Sequence, residues 1–257
     1  QSPCAQGGEL TCLNCHGMHE GDPRGQLRPD RLGAAACTQC HTEFTAVQAQ
    51  ARHARHPAGA SLPECVDCHM PKLVYGVLDT HRSHRIEVPS PARAAQQERP
   101  DACTQCHVDR TRTWARDAEA RMWPSSARAG ATTRSDERGW SEVETQLFAG
   151  DPIERALAAA ALGRPVSAAA AQPRRIALLL AVMVCDPYPA IRHLALRSVR
   201  ALVRDPVLER FVPEQPEQAR REQLAALRAR YTLSAAELEH TEGLRAQASA
   251  LAIDIGE

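Results

Sequence analysis

Lysine is almost missing from this chain: Lys72 stands alone among 31 basic residues, and the other thirty are arginines. Arginine stays charged and pairs bidentately with carboxylates, so these side chains suit the holding of carboxylate groups in fixed geometry. Net charge is missing too, with Lys+Arg and Asp+Glu both at 31. Attraction to nucleic acid or to a membrane surface through overall charge is thereby excluded. No apolar run is long enough to span a bilayer; the longest, 176–185 (IALLLAVMVC), reads as a buried helix. An initiator methionine and a signal-type apolar segment are also absent, so Gln1 reads as a processed or truncated start. Hydrocarbon is scarce as well. Residues 1–110 hold only 18 large apolar side chains (Leu, Ile, Val, Met, Phe, Tyr). A stretch that poor, and rich in Gly, Pro and Arg, would not bury enough surface to offset its own ordering entropy.

What the sequence does have is cysteine in a fixed pattern. Eight of the ten cysteines form four pairs, Cys12/Cys15, Cys37/Cys40, Cys65/Cys68 and Cys103/Cys106, and each pair is followed at once by histidine: His16, His41, His69 and His107. With 11 histidines in 257 residues, four such placements by chance have odds on the order of one in 300,000, so the offset itself needs a reason. A zinc site uses CxxC pairs but has no need of a histidine at that offset every time. A redox dithiol would be expected once, near a βαβ pattern. The reading that explains all four is c-type haem attachment: two thiols add across the porphyrin vinyl groups, and the adjacent histidine becomes the proximal iron ligand. Four covalently attached haem c groups then supply the apolar mass that the side chains lack, and this half is expected not to fold without them. Their propionates add about eight carboxylates, for which Arg24, Arg28, Arg31, Arg52, Arg55, Arg82, Arg85 and Arg93 are candidate partners.

A haem with one protein ligand has an open face for substrate, whereas one with two mainly passes electrons. Five further histidines are interleaved with the motifs: His19, His53, His56, His81 and His84. That is enough to close four haems, with His19, His53, His56 and His84 as distal candidates and His81 in reserve. His19 is too close in sequence to swing over the iron held by His16, so it is expected to serve a neighbouring haem. His193 and His240 lie outside this half, and His193 reads as structural.

The stretches CVDCHMPK (65–72), THRSHRIEVP (80–89) and CTQCH (103–107) resemble the last two haem motifs of pentahaem cytochrome c nitrite reductase. With LTCLNCHGMHEG (10–21) and Trp114 after the last motif, the chain is still more similar to multihaem cytochromes of the doubled-CxxCH type, often fused to helical repeats. The resemblance covers roughly residues 4–123. It implies His84 as distal ligand to the haem of His16 and His56 as distal ligand to that of His107. His19 and His53 then go to the second and third haems. One departure matters: the nitrite reductase binds substrate at a haem with a proximal lysine in CxxCK, and Lys72 lies outside every proximal position. This argues against nitrite reduction.

Residues 123–140 (WPSSARAGATTRSDERGW) read as a linker. Beyond them alanine and leucine recur at helical spacing. Ser141 with Glu144 makes a capping box, and Asp151-Pro152 opens a helix with Ile153, Ala156, Leu157 and Ala160 on one face and Gly163 ending it. Pro173 opens another, Asp186-Pro187 breaks the chain, and Ile191, Leu194, Ala195, Ser198, Val199 and Leu202 line a third. Further helices are expected over 216–231 and 234–251. DPYPAIRHLALRSVRAL (186–202) resembles the second helix of a HEAT repeat, echoed by DPIERALAAAALG (151–163). Cys185 reads as a small hydrophobe; Cys4 is left over, and a Cys4–Cys185 disulfide is open in an oxidising compartment.

The expected architecture is mainly α: a loop-rich tetrahaem cytochrome c domain (1–122), a linker (123–140) and an all-α HEAT-like domain (141–257). The expected function is electron transfer through four mostly bis-histidine haems, on the periplasmic or extracellular side of a bacterial membrane. The helical domain would dock other redox proteins or a membrane-associated electron-transfer complex; nucleic acid is not a partner, and the chain has no transmembrane segment. A reductase with one open haem acting on a nitrogen or sulfur oxyanion is the alternative, and a haem-carrying scaffold or filament subunit is a second.

Overall fold

The computed structural model describes residues 2–8, 10–17, 26–59, 62–74, 80–97, 101–124, 141–164 and 172–250. The chain is mainly helical with many loops. Its first half has short helices: α1 (Pro3–Gln6), α2 (Ala35–Thr38), α3 (Val47–Ala54), α4 (Cys65–His69), α5 (Pro91–Gln96) and α6 (Arg112–Met122). Between α4 and α5 a small antiparallel hairpin pairs β1 (Lys72–Val74) with β2 (Thr80–Arg82), in the register Lys72↔Arg82, Leu73↔His81 and Val74↔Thr80. Among the described residues before 141, the buried hydrophobic side chains are Ala92, Ala94, Ala102, Val108, Ala115 and Ala118. Five of these are alanines, which is too little hydrocarbon for an ordinary core. Side chains alone do not fill this half.

The second half is a packed helical body: α7 (Glu142–Ala149), α8 (Pro152–Leu162), α9 (Gln172–Cys185), α10 (Pro189–Leu202), α11 (Pro206–Glu209), α12 (Glu217–Gln223), α13 (Ala225–Arg230) and α14 (Ala235–Ala250). The helix starts follow from local chemistry. Ser141 and Glu144 cap each other's backbone amides reciprocally, as do Asp151 and Glu154, and Pro152 and Pro189 occupy first-turn positions. Helix α10 packs on α8 and α9, and α7 on α8 and α14. Leu179, Met183, Ala195, Val199, Leu208 and Leu224 are fully enclosed in the core between them.

Two expectations change. Ile153 is 53% exposed, because the face of α8 that turns inward carries Ala156, Leu157, Ala159 and Leu162 instead. The helix expected over 216–231 is two, divided at the fully buried Leu224, which ends α12 and begins α13. The proposed linker, 125–140 of it, lies outside the described residues, but the segments on either side meet. Glu142 N–H donates to Arg110 O at 3.2 Å, and the Arg112 guanidinium pairs with Glu142 at 2.5 Å and Asp101 at 3.8 Å. Arg164, just beyond α8, pairs with Asp67 of α4 at 2.6 Å.

Buried arginines hold the helical body together from inside. Arg175 donates to Leu162 O and Arg164 O, Arg192 to the carbonyls of Asp186, Pro187 and Pro213, and Arg220 to those of Met183, Val184 and Gln215. Each satisfies carbonyls left over where a helix or turn ends. Among the described residues no helix is long and apolar enough to cross a membrane.

Candidate haem-binding site

Each CxxCH segment forms one helical turn. The His16 N–H donates to Cys12 O at 2.9 Å, His41 N–H to Cys37 O at 3.0 Å and His107 N–H to Cys103 O at 2.9 Å, while the third motif is α4 itself. Positions i, i+3 and i+4 of such a turn share a face, so two sulfurs and one imidazole point the same way. Local caps fix the turns. Asn14 Oδ1 accepts from Thr11 N–H at 2.7 Å, Glu64 and Asp67 form a capping box on α4, and Asp101 accepts from the amides of Cys103 and Thr104 at 2.9 and 3.0 Å.

The motif histidines meet histidines from elsewhere in the chain. His16 and His84 have ring centroids 6.0 Å apart, His53 and His69 6.0 Å, and His56 and His107 6.0 Å. These separations differ from ordinary ring contacts nearby, such as Phe44–His53 at 4.6 Å and His107–Trp114 at 4.7 Å. Two metal–nitrogen bonds of about 2 Å plus the half-width of two imidazoles come to about 6 Å, so a single iron fits between each pair. His41 is exposed beside Glu43, its Nδ1 3.7 Å from the carboxylate. His19, its expected partner, lies outside the described residues. His81 sits on β2 opposite Leu73, exposed.

Second-nitrogen contacts set the tautomer. His69 Nδ1 lies 3.0 Å from Glu87 O, His84 Nδ1 3.0 Å from Arg82 O and His56 Nδ1 2.6 Å from Ala54 O. A carbonyl only accepts, so each Nδ1 carries the proton and each Nε2 presents a lone pair, the form a metal requires. Burial holds the His69 and His107 imidazoles below the ordinary histidine range, which favours that same neutral form. Trp123 Nε1–H donates to His53 O at 3.0 Å, tying α6 to the end of α3.

All eight motif cysteines are free thiols in this structure: Cys12, Cys15, Cys37, Cys40, Cys65, Cys68, Cys103 and Cys106. Burial pushes Cys68 up to about 12 and raises Cys103 and Cys106. Two of the expected anchors depart from that enclosed setting. Cys40 of the second motif is exposed, and so is Cys12 of the first. Cys40 closes its turn at the surface, where its N–H donates to Cys37 O at 3.1 Å and the following residues, His41, Thr42 and Glu43, are exposed as well. Protein side chains wall in Cys68 and Cys103 but not Cys40.

Cys37 and Cys65 lie close enough to share one proton, which raises the first thiol and lowers the second. That pairing is one of three linking successive motif regions. Gln39 in the second donates to Asn14 O in the first at 3.5 Å. Gln105 in the fourth holds both backbone groups of Lys72, accepting from its N–H at 3.1 Å and donating to its C=O at 2.9 Å. Asp67, inside the third motif, is buried and bonded to both Arg82 and Arg164. Asn14, Gln39, Asp67 and Gln105 are marked in the sequence only by lying inside CxxCH. Cys4 and Cys185 are both free thiols, so the disulfide open from sequence is not formed. Cys185 instead donates from Sγ to Ala181 O at 2.8 Å and is pushed up to about 11 by burial. His193 pairs with Glu214 at 2.5 Å on the surface.

Of the expected propionate partners, Arg28 and Arg31 contact Asp30, Arg82 contacts Asp67 and Arg85 contacts Glu87; Arg24 lies outside the described residues.

A family model described as the doubled CXXCH motif matches residues 2–46, the stretch carrying the first two motifs. No curated protein and no solved structure matches the chain. The doubled CXXCH motif is a signature of multihaem c-type cytochromes, and CXXCH indicates covalently bound haem c.

Proposed function

We propose that this chain is a tetrahaem c-type cytochrome that passes electrons between redox partners on the periplasmic or extracellular side of a bacterial membrane. The observation that carries the reading is the three histidine pairs, each joining a motif histidine to a non-motif one at 6.0 Å. Haem c, when bound, supplies a reversible one-electron iron couple. The chain's own residues do the rest. Cys12/Cys15, Cys37/Cys40, Cys65/Cys68 and Cys103/Cys106 would anchor the four groups, with His16, His41, His69 and His107 as proximal ligands. The exposure of Cys40 and His41 would make the second group the most open to solvent. His84, His53 and His56 would close the first, third and fourth sites and leave no face for substrate there; His19 is the candidate for the second. Contacts between consecutive motifs support an order that follows the sequence, first to fourth. The carbonyls on Nδ1 of His56, His69 and His84 would strengthen imidazole donation and so favour the oxidised iron.

The first two motifs match the doubled-CXXCH family, and the last two resemble those of the pentahaem nitrite reductase. The helical half, with Arg192 capping the Asp186 and Pro187 carbonyls at the start of α10, is read as HEAT-like and as the surface that docks a partner. The test is intact-mass and electron-paramagnetic-resonance measurement on the purified protein. Four haem masses above 28.0 kDa and low-spin signals alone are expected. A mass equal to the bare polypeptide would overturn the reading. A high-spin signal with rapid carbon monoxide binding after reduction would replace it with a reductase open at one haem, with the exposed His41 as the first place to look.

A further inference from the structure

A cavity of about 330 Å³ lies where the two halves of the chain meet. Its walls come from β1 (Lys72), the fourth motif (Gln105), the end of α8 (Gly163, Arg164) and α10 (Arg197, Ser198). Among the described residues, three that line it are cations, Lys72, Arg164 and Arg197, and none is acidic. In a chain whose charges balance at 31 each, that is a local excess of one sign in a walled cleft. Such a cleft concentrates its field and favours a counter-charge inside it.

The walls are fixed. Gln105 is buried, and both ends of its amide are committed to the main chain of Lys72, which sets the floor. A Cβ at Gly163 would meet Ser198 Cβ at 2.5 Å, so only glycine allows α8 to end this close to α10 and bring Arg164 and Arg197 onto one cavity. The nearby carboxylate of Asp67 is shared between Arg164 and Arg82. Of the cleft cations, Arg164 therefore also holds a carboxylate outside the lining.

We propose that this cleft binds a small, multiply charged oxyanion of the phosphate or sulfate class. A haem propionate is the other possible source of such a charge, but the position of the cleft disfavours it. Gln105 of the cleft lining is the neighbour of Cys106 in the fourth motif, so the cleft adjoins a thiol that would join a vinyl group, not a propionate. The anion therefore comes from solution. Because the cleft takes residues from the third and fourth motif regions and from α8 and α10, its occupant also clamps the two halves together.

The test is calorimetric titration of the holoprotein with inorganic phosphate at low ionic strength and near-neutral pH. One saturable site per chain is expected. Arg197→Gln, at an exposed position on α10, should weaken it at least about tenfold, and Arg197→Lys should largely retain it. Lys72→Met should weaken it similarly. Arg221→Gln removes a cation paired with Glu217 outside the cleft and should change nothing. Absence of a saturable site in the unaltered protein overturns the proposal, as does a site that Arg197→Gln leaves intact. A shift in a haem midpoint potential on Arg197→Gln without phosphate binding would assign the cations to a propionate and equally overturn it.

Discussion

An imidazole binds a metal through the nitrogen that carries no proton, so the partner of its other nitrogen decides whether it is ready. For His56, His69 and His84 that partner is a backbone carbonyl, which no side-chain substitution removes. Readiness is therefore built into the local fold, and the sensitive variable is the presence of the ring itself. His84→Ala should free the iron opposite His16. On the proposed tetrahaem reading, one haem should turn high-spin, and the reduced protein should gain carbon monoxide binding, read in a difference spectrum. His81→Ala, three residues away and exposed on β2, should leave the spectrum unchanged. Equal effects from the two substitutions would mean that 6.0 Å between His16 and His84 is not a ligand spacing. The CxxCH turns were legible in the sequence because the motif is local and its geometry repeats wherever it occurs. The exposure of Cys40 was not legible, because the motif is the same whether its turn is walled in or lies at the surface. Nor were the roles of Gln105 and Asp67. Each is one of two variable residues in its motif, and its meaning depends on which distant segment folds against it.

Elements in the helical half begin where the sequence indicates, because caps are local. Ser141 with Glu144, Asp151 with Glu154, and the prolines at 152 and 189 all sit at helix starts. The break at Leu224 and the outward-facing Ile153 had no such signals, since both follow from which face of a helix meets its neighbours. The buried arginines were hidden for the same reason: Arg220 reads as a surface residue in a charged run (EQARREQ), yet it donates to Met183 and Val184 carbonyls some 36 residues earlier. Removing it leaves buried carbonyls without donors. Arg220→Met should cost about 1.5–3 kcal/mol in urea unfolding of the helical body, the range for hydrogen bonds from a charged group. Gly163→Ala should cost about 1–3 kcal/mol, because the new methyl would meet Ser198 and force α8 from α10. Ser141→Ala should cost less, about 1 kcal/mol, for one lost cap. If Gly163→Ala were neutral, the close approach of α8 to α10 would be wrong.

At the scale of the whole chain the two halves are stabilised by different means. The second has leucine, valine and methionine in a continuous core, whereas the described part of the first buries five alanines and one valine. Expressed in a host unable to attach haem, the chain should show slow amide hydrogen exchange across 141–250 and fast exchange across 2–124. Comparable protection in both would mean that side chains suffice to order the first half. Among the described residues, charge joins the halves at two places, Arg112 with Glu142 and, beside α4 and the end of α8, Asp67 with Arg164. Burial opposes ionisation of the Asp67 carboxyl, but Arg82 and Arg164 outweigh it and hold the group below the usual carboxylate range. A carboxyl depressed in the folded state stabilises that state fully above its unfolded value, near pH 4. The contribution is lost as pH falls further, through the folded value. Acidification below about pH 4 should therefore loosen the seam before the helical core unfolds, seen as faster exchange at α4, β1 and the end of α8 while α9 and α10 stay protected. Asp67→Asn should show the loosened pattern already at neutral pH and lose that pH dependence. If the substituted protein kept a protected seam with the same acid response, some group other than Asp67 would be joining the two halves.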